Sequence, residues 1–176
     1  MITLDFETEA IVGNPIVNPP LPVGLAIYWP SGLKEYITEW ELMKVNWEAA
    51  INSVNGLLFH NAPFDLSVGG HYFGTEWPNW TRVHDTMFLL FLADPYADTL
   101  SLKPSAERYL GDPPDTQNDL YDWIVSNVPG ATRKRAGEFI CKAPVELVRP
   151  YAIDDVIKTK RLYDYLTEEL FADEAD

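Results

Sequence analysis

The chain opens on strict alternation: Ile2, Leu4 and Phe6 are apolar, while Thr3, Asp5 and Glu7 are polar. A period of two marks a half-buried strand. A proline-rich loop follows, with Asn14-Pro15 and Asn18-Pro19-Pro20-Leu21-Pro22. Residues 23–29 read as a second strand, Pro30-Ser31-Gly32 as a turn and 33–38 as a third strand, so 23–38 forms a hairpin. The spacing then becomes helical over 41–54, with Leu42, Val45, Ala49 and Val54 expected to face inward. Residues 56–59 form a short strand of the buried type. Asn61 is expected to cap the next helix, which carries Pro63 in its first turn, a place where proline costs little. A short strand is expected at 81–84, followed by Asp85 capping a helix over 86–93. Beyond Asp94-Pro95 the pattern is mostly helical, over 102–110, 120–128 and 144–171, with joints at Gly111-Asp112-Pro113-Pro114 and Pro129-Gly130. Strands early and helices late predict a mixed α/β layered domain. No repeat, low-complexity tract or domain boundary interrupts residues 1–176, and the acidic tail 172–176 is expected to fray.

Composition narrows the class. At 176 residues one compact domain is the default, and 47% hydrophobic residues are enough for a core despite a net charge of −14. No stretch reaches the roughly 20 apolar residues that cross a bilayer, and Met1-Ile2-Thr3-Leu4-Asp5 does not read as a leader, so no membrane partner is expected. The single Cys141 excludes an internal disulfide and, with only His60, His71 and His84 beside it, argues against structural zinc. A reducing, cytoplasmic setting is expected. An acidic chain should repel phosphate backbones. Yet ten of the 13 basic residues fall between Lys103 and Arg161, and surplus carboxylates are what hard divalent cations require. Charge alone therefore decides little.

The informative carboxylates are few. Asp5 and Glu7 stand two apart on the first strand and project to one face. Converging carboxylates raise one another's pKa unless a cation sits between them. By itself an Asp-x-Glu pair is weak, but this one closes an apolar strand at the mouth of a sheet, where α/β ligand sites form. Asp65 lies in the first turn of the helix begun at Asn61, and its plain explanation is a carboxylate favoured by the helix dipole. Tyr151 and Asp155 are four apart on the last helix and stack on one face, with Pro150 suited to a first helical position. The inward residues Ile153, Val156, Leu162 and Leu166 offer simple packing as the alternative.

Taken in order, Asp5-x-Glu7, Asn61-x-x-Phe64-Asp65 and Tyr151-x-x-x-Asp155 resemble the three motifs of the DEDD exonuclease superfamily in its tyrosine subgroup. The likeness is greatest to the 3′–5′ proofreading exonuclease domain of family A DNA polymerases, especially phage-type ones, and extends over nearly the whole chain. Asp85-Thr86 and the segment from Leu102 to Leu110 look like that family's connecting helices. The resemblance implies a ribonuclease H-like mixed sheet flanked by helices, with a helical C-terminal half. It implies two divalent metal ions, Mg2+ or Mn2+: Asp5, Glu7 and Asp155 would ligate the first, Asp5 would bridge to the second, and Asp65 would hold the second largely through water. Tyr151 would orient the attacking water. In the sister subgroup a histidine replaces the tyrosine, and none of the three histidines adjoins the last helix.

By the same resemblance, Ile11 matches a wedge residue, and Thr8 and Asn61 would lie beside the terminal nucleotide. The expected substrate is single-stranded DNA or a frayed 3′ end, held by stacking and apolar wedges. Arg133-Lys134-Arg135 is a candidate phosphate contact, Trp77 and Trp80 read as exposed loop residues, and Phe64 as core. A ribonuclease D-like exoribonuclease is the first alternative, since these motifs surround a phosphate and not a 2′-hydroxyl. A non-catalytic exonuclease-like module is the second, opposed by the convergence of like charges that binding alone would not need. Proofreading domains are usually joined to a polymerase. The chain is therefore expected to be a free-standing exonuclease, half of a split polymerase with a separate polymerase subunit as partner, or an excised domain.

Overall fold

The computed structural model describes residues 1–113 and 118–171. The tail 172–176 and Pro114 of the Gly111-Asp112-Pro113-Pro114 joint lie outside the described residues. Strand β1 (Ile2–Thr8) pairs antiparallel with β2 (Pro22–Tyr28), which pairs antiparallel with β3 (Lys34–Ile37). On its other side β1 runs parallel to β4 (Leu57–Phe59), and β4 runs parallel to β5 (Val83–Asp85). The sheet order is β3-β2-β1-β4-β5, with β1 in the middle.

The alternation along β1 decides what lies on each face. Ile2, Leu4 and Phe6 join Leu25 and Ile27 in a core covered by helices α1 (Trp40–Ile51) and α2 (Ala62–Phe73). Trp47 of α1 is its centre, fully buried, 4.7 Å from the Phe6 ring, with its indole N–H on Thr75 Oγ1 at 2.9 Å. The opposite face, with Ala26 and Tyr36, packs against α5 (Asn118–Asn127), a 3₁₀ segment Arg133–Lys142 and the long helix α6 (Val145–Phe171). A third cluster, around Leu90, Leu162 and Leu166, joins α3 (Thr86–Ala93), α4 (Leu102–Leu110) and α6. Among the described residues, no helix is long and apolar enough to cross a membrane.

Several local expectations change. The inward face of α1 is Met43, Trp47, Ala50 and Ile51. Leu42 (54% exposed), Val45 (58%) and Val54 (96%) point away, and Ala49 is also exposed. Both stripes satisfy a 3.6-residue period, but only this one places an indole against Phe6 and Phe59. The last helix starts at Val145, so Pro150 sits inside it rather than at its first position. The strand at 81–84 is split into a 3₁₀ turn, Trp80–Arg82, and β5. Asn61 stands at the start of α2, but its side chain makes no cap; its backbone is left-handed, with φ of 74°. The acceptor comes from Asp85, which takes the Asn61 and Ala62 N–H groups at 2.9 and 2.8 Å as well as Met87 N–H at 2.9 Å. His84 does reach the last helix, with Nδ1 3.2 Å from the Tyr163 hydroxyl, well along α6 from Asp155.

Candidate active site

Asp5 and Glu7 occupy the face of β1 opposite to the Trp47 core. Each can offer a carboxylate oxygen that lies, with one from Asp155 of α6, within 4.8 Å of the others. Sequence spacing alone brought the first two together, and packing of α6 across the sheet supplied the third. Asp65 arrives from the other layer. Strand β1 runs past its last pairing with β4, at Thr3, and further along its Phe6 N–H donates to Asp65 Oδ1 at 2.8 Å. Asp65 is thus pinned to the strand between Asp5 and Glu7, on a carboxylate that is 1% exposed. It stands close enough to Asp5 for each charge to disfavour the other.

Burial first, then the charge of Asp155, pushes Asp5 up to about 7 from 3.8, against the pull of Lys103. Glu7 is raised well above its usual range by burial and by Asp5 and Asp155. Asp65 is raised by burial and by Asp5, with the Phe6 N–H opposing. Burial also raises Asp155, while Lys103 pulls it down. Tyr151 is pushed well above 10 by burial and by Asp155 and Glu7, so its hydroxyl keeps its proton at neutral pH. The Tyr121 ring lies 6.3 Å from that of Tyr151.

Lys103, the second residue of α4, was not expected here. Its Nζ lies 3.2 Å from Asp155 Oδ1 and 3.3 Å from the centre of the Tyr151 ring. This charge-assisted contact is what each of the two buried atoms has, and neither has a further hydrogen-bond partner. A signal was present in the sequence: a lysine in the first turn of a helix opposes the helix dipole, an arrangement that asks for a compensating anion. Asp85 was read only as the cap of α3, and its second task at the start of α2 is set by tertiary contact.

Thr8 donates its hydroxyl to Glu9 O at 2.9 Å, Ile11 is exposed in the loop after β1, and Asn61 is held by Asp85. Phe64 is partly buried against the Trp47 core. Trp77 and Trp80 are exposed and meet edge to face at 5.6 Å. In the basic run, Arg133 pairs with Asp122 and Arg135 with Glu138.

Three hard oxygen donors in reach of one another, including the buried Asp155 Oδ1, suit a divalent cation of the Mg2+ type. The mixed sheet with antiparallel β3-β2-β1 and parallel β1-β4-β5, bearing Asp5 and Glu7 on its central strand, defines a ribonuclease H-like nuclease fold. Among solved structures it is similar to Brucella melitensis NrnC bound to pGG, with a TM-score of 0.65 and 23% identity over 98% of this chain and 74% of that one. It is likewise similar to Brucella melitensis NrnC with bound Mg2+, with a TM-score of 0.64, 22% identity and the same coverage of 98% and 74%. No curated protein matches in sequence. A family model described as 3′–5′ exonuclease matches residues 39–171, and the chain belongs to that family, a metal-dependent phosphodiester hydrolase of the DEDD type. The matched span begins after β1, so Asp5 and Glu7 enter through geometry and not through that match.

Proposed function

We propose that the chain removes nucleotides from the 3′ ends of single-stranded or frayed DNA, and that two divalent ions, Mg2+ or Mn2+, assist the hydrolysis. The observation that carries this reading is the meeting of Asp5, Glu7 and Asp155 within 4.8 Å, with Asp65 fastened to the same strand. Bound divalent ions supply Lewis acidity and stabilise charge on the entering and leaving oxygens of the phosphodiester. Asp5, Glu7 and Asp155 would hold the first ion. Asp5 and Asp65 would hold the second, Asp65 largely through water because one of its oxygens is engaged by Phe6 N–H. Tyr151, protonated and one helical turn before Asp155, would orient the attacking water as a hydrogen-bonding partner. Thr8, Ile11 and Asn61 would contact the terminal nucleotide at the edges of the site, Ile11 as an exposed apolar wedge in the loop after β1. A separate DNA polymerase subunit would supply the grip on the strand that an acidic chain lacks.

The neighbour bound to pGG favours a second reading, in which the substrate is a short oligonucleotide, RNA included. One experiment separates the two. The purified chain is given end-labelled single-stranded DNA, duplex with a mismatched 3′ end, and RNA, with and without divalent metal. Shortening of DNA from the 3′ end, lost in Asp5→Ala and Asp155→Ala, is the expected result. Preference for RNA would transfer the assignment to the second reading, and activity surviving both substitutions would refute the site.

A further inference from the structure

An ammonium group inside a group of carboxylates invites a question about what it does there. Lys103 is placed where the α4 dipole opposes a cation, its side chain is 15% exposed, and its Nζ has no acceptor beyond Asp155. Burying an ammonium is costly, so the position is maintained by charge: Asp155 Oδ1 at 3.2 Å, the nearby charges of Glu7 and Asp5, and the Tyr151 ring face at 3.3 Å.

We propose that Lys103 is the built-in counter-cation of the metal-free site, holding the Asp5, Glu7 and Asp155 carboxylates together until a divalent ion displaces it. This rests on reading the three carboxylates as a divalent-metal site. An ammonium and a dication would compete for the same Asp155 oxygen, and their repulsion at close range across a poorly screened interior disfavours holding both. The flexible four-carbon stem lets Nζ withdraw while α4 stays packed on α6. The site is thereby kept assembled without metal, and its affinity for metal is lowered by the work of expelling the lysine. Lys103 is a positioning residue in this account.

The test uses the full chain with Mn2+ as probe. Mn2+ affinity is measured from the free-ion electron paramagnetic resonance signal for the native chain, Lys103→Met and Lys103→Arg. In parallel, the native chain is acetylated with and without saturating Mn2+, and the labelling of each lysine is read by mass spectrometry. Lys103→Met should bind Mn2+ more tightly, on the order of tenfold, the factor that about 1.4 kcal/mol represents, while Lys103→Arg should stay near the native value. Labelling of Lys103 should rise severalfold with Mn2+, and that of the exposed Lys134 should not change. If Lys103→Met does not fold without metal, the labelling of the native chain decides alone. Mn2+ binding with unchanged Lys103 labelling, or equal or weaker binding by Lys103→Met, would overturn the inference. Absence of Mn2+ binding by the native chain would instead refute the metal-site reading beneath it.

Discussion

At the scale of single residues, the carboxylate group stores repulsion that a cation relieves. Asp5 titrates near 7 in the folded chain against 3.8 in a free carboxyl. Between those values the folded state binds more protons than the unfolded one, so metal-free stability falls as pH rises from about 4 to 7. Asp5→Asn should flatten that decline and raise the melting temperature of the metal-free chain at pH 7, while abolishing both activity and the stabilisation by Mg2+. Thermal melts across pH, with and without Mg2+, check this, and a lower metal-free melting temperature in the variant would contradict it. Tyr151 poses a different question, since it touches no metal in the proposed arrangement. Tyr151→Phe should reduce cleavage about a hundredfold and leave the Mg2+-induced rise in melting temperature unchanged; single-turnover rates and melts separate the two effects.

At the scale of elements, two contacts hold the layers in the relation the site needs. Asp85 joins the starts of α2 and α3 through three backbone N–H groups. Asp85→Ala leaves these donors without their acceptor and should cost about 3 kcal/mol in urea unfolding. Because α2 also carries Asp65, that variant should lose activity under conditions where it remains folded. Gly69 of α2 lies against the indole of Trp47, and a Cβ there would fall 2.2 Å from it. Gly69→Ala should therefore destabilise by about 2 kcal/mol or more, as overpacking of a rigid aromatic does. A native-like unfolding midpoint would show that α1 and α2 can separate more easily than this packing implies.

For the whole molecule, the net charge of −14 is the dominant fact about substrate binding. The basic run at 133–135 adds little, since Arg133 and Arg135 are matched with Asp122 and Glu138. Few phosphates can then be neutralised, and affinity for a strand should be weak and only shallowly dependent on salt. The chain by itself should release its strand after one or a few cleavages at physiological ionic strength. Digestion started together with an excess of unlabelled competitor strand checks this: products should stop near full length, and extensive shortening would contradict it.

Much of this was legible in the sequence because it is periodic and local. Alternation in 2–7 marked β1 and put Asp5 and Glu7 on one face, and the spacing of four put Tyr151 and Asp155 on one side of a helix. The breaks at Gly and Pro marked 102–110 and 86–93 to the residue. Spacing could not choose between the two apolar stripes of α1, because both have helical period and only burial of Trp47 against Phe6 selects one. Nor could it find that Asp85 serves a helix begun 23 residues earlier, that Phe6 N–H holds Asp65, or that Lys103 enters the carboxylates. Local periodicity is a property of the backbone and can be read along the chain. Which charges meet is settled by how layers stack, where burial of apolar surface moves whole elements and carries their polar residues with them.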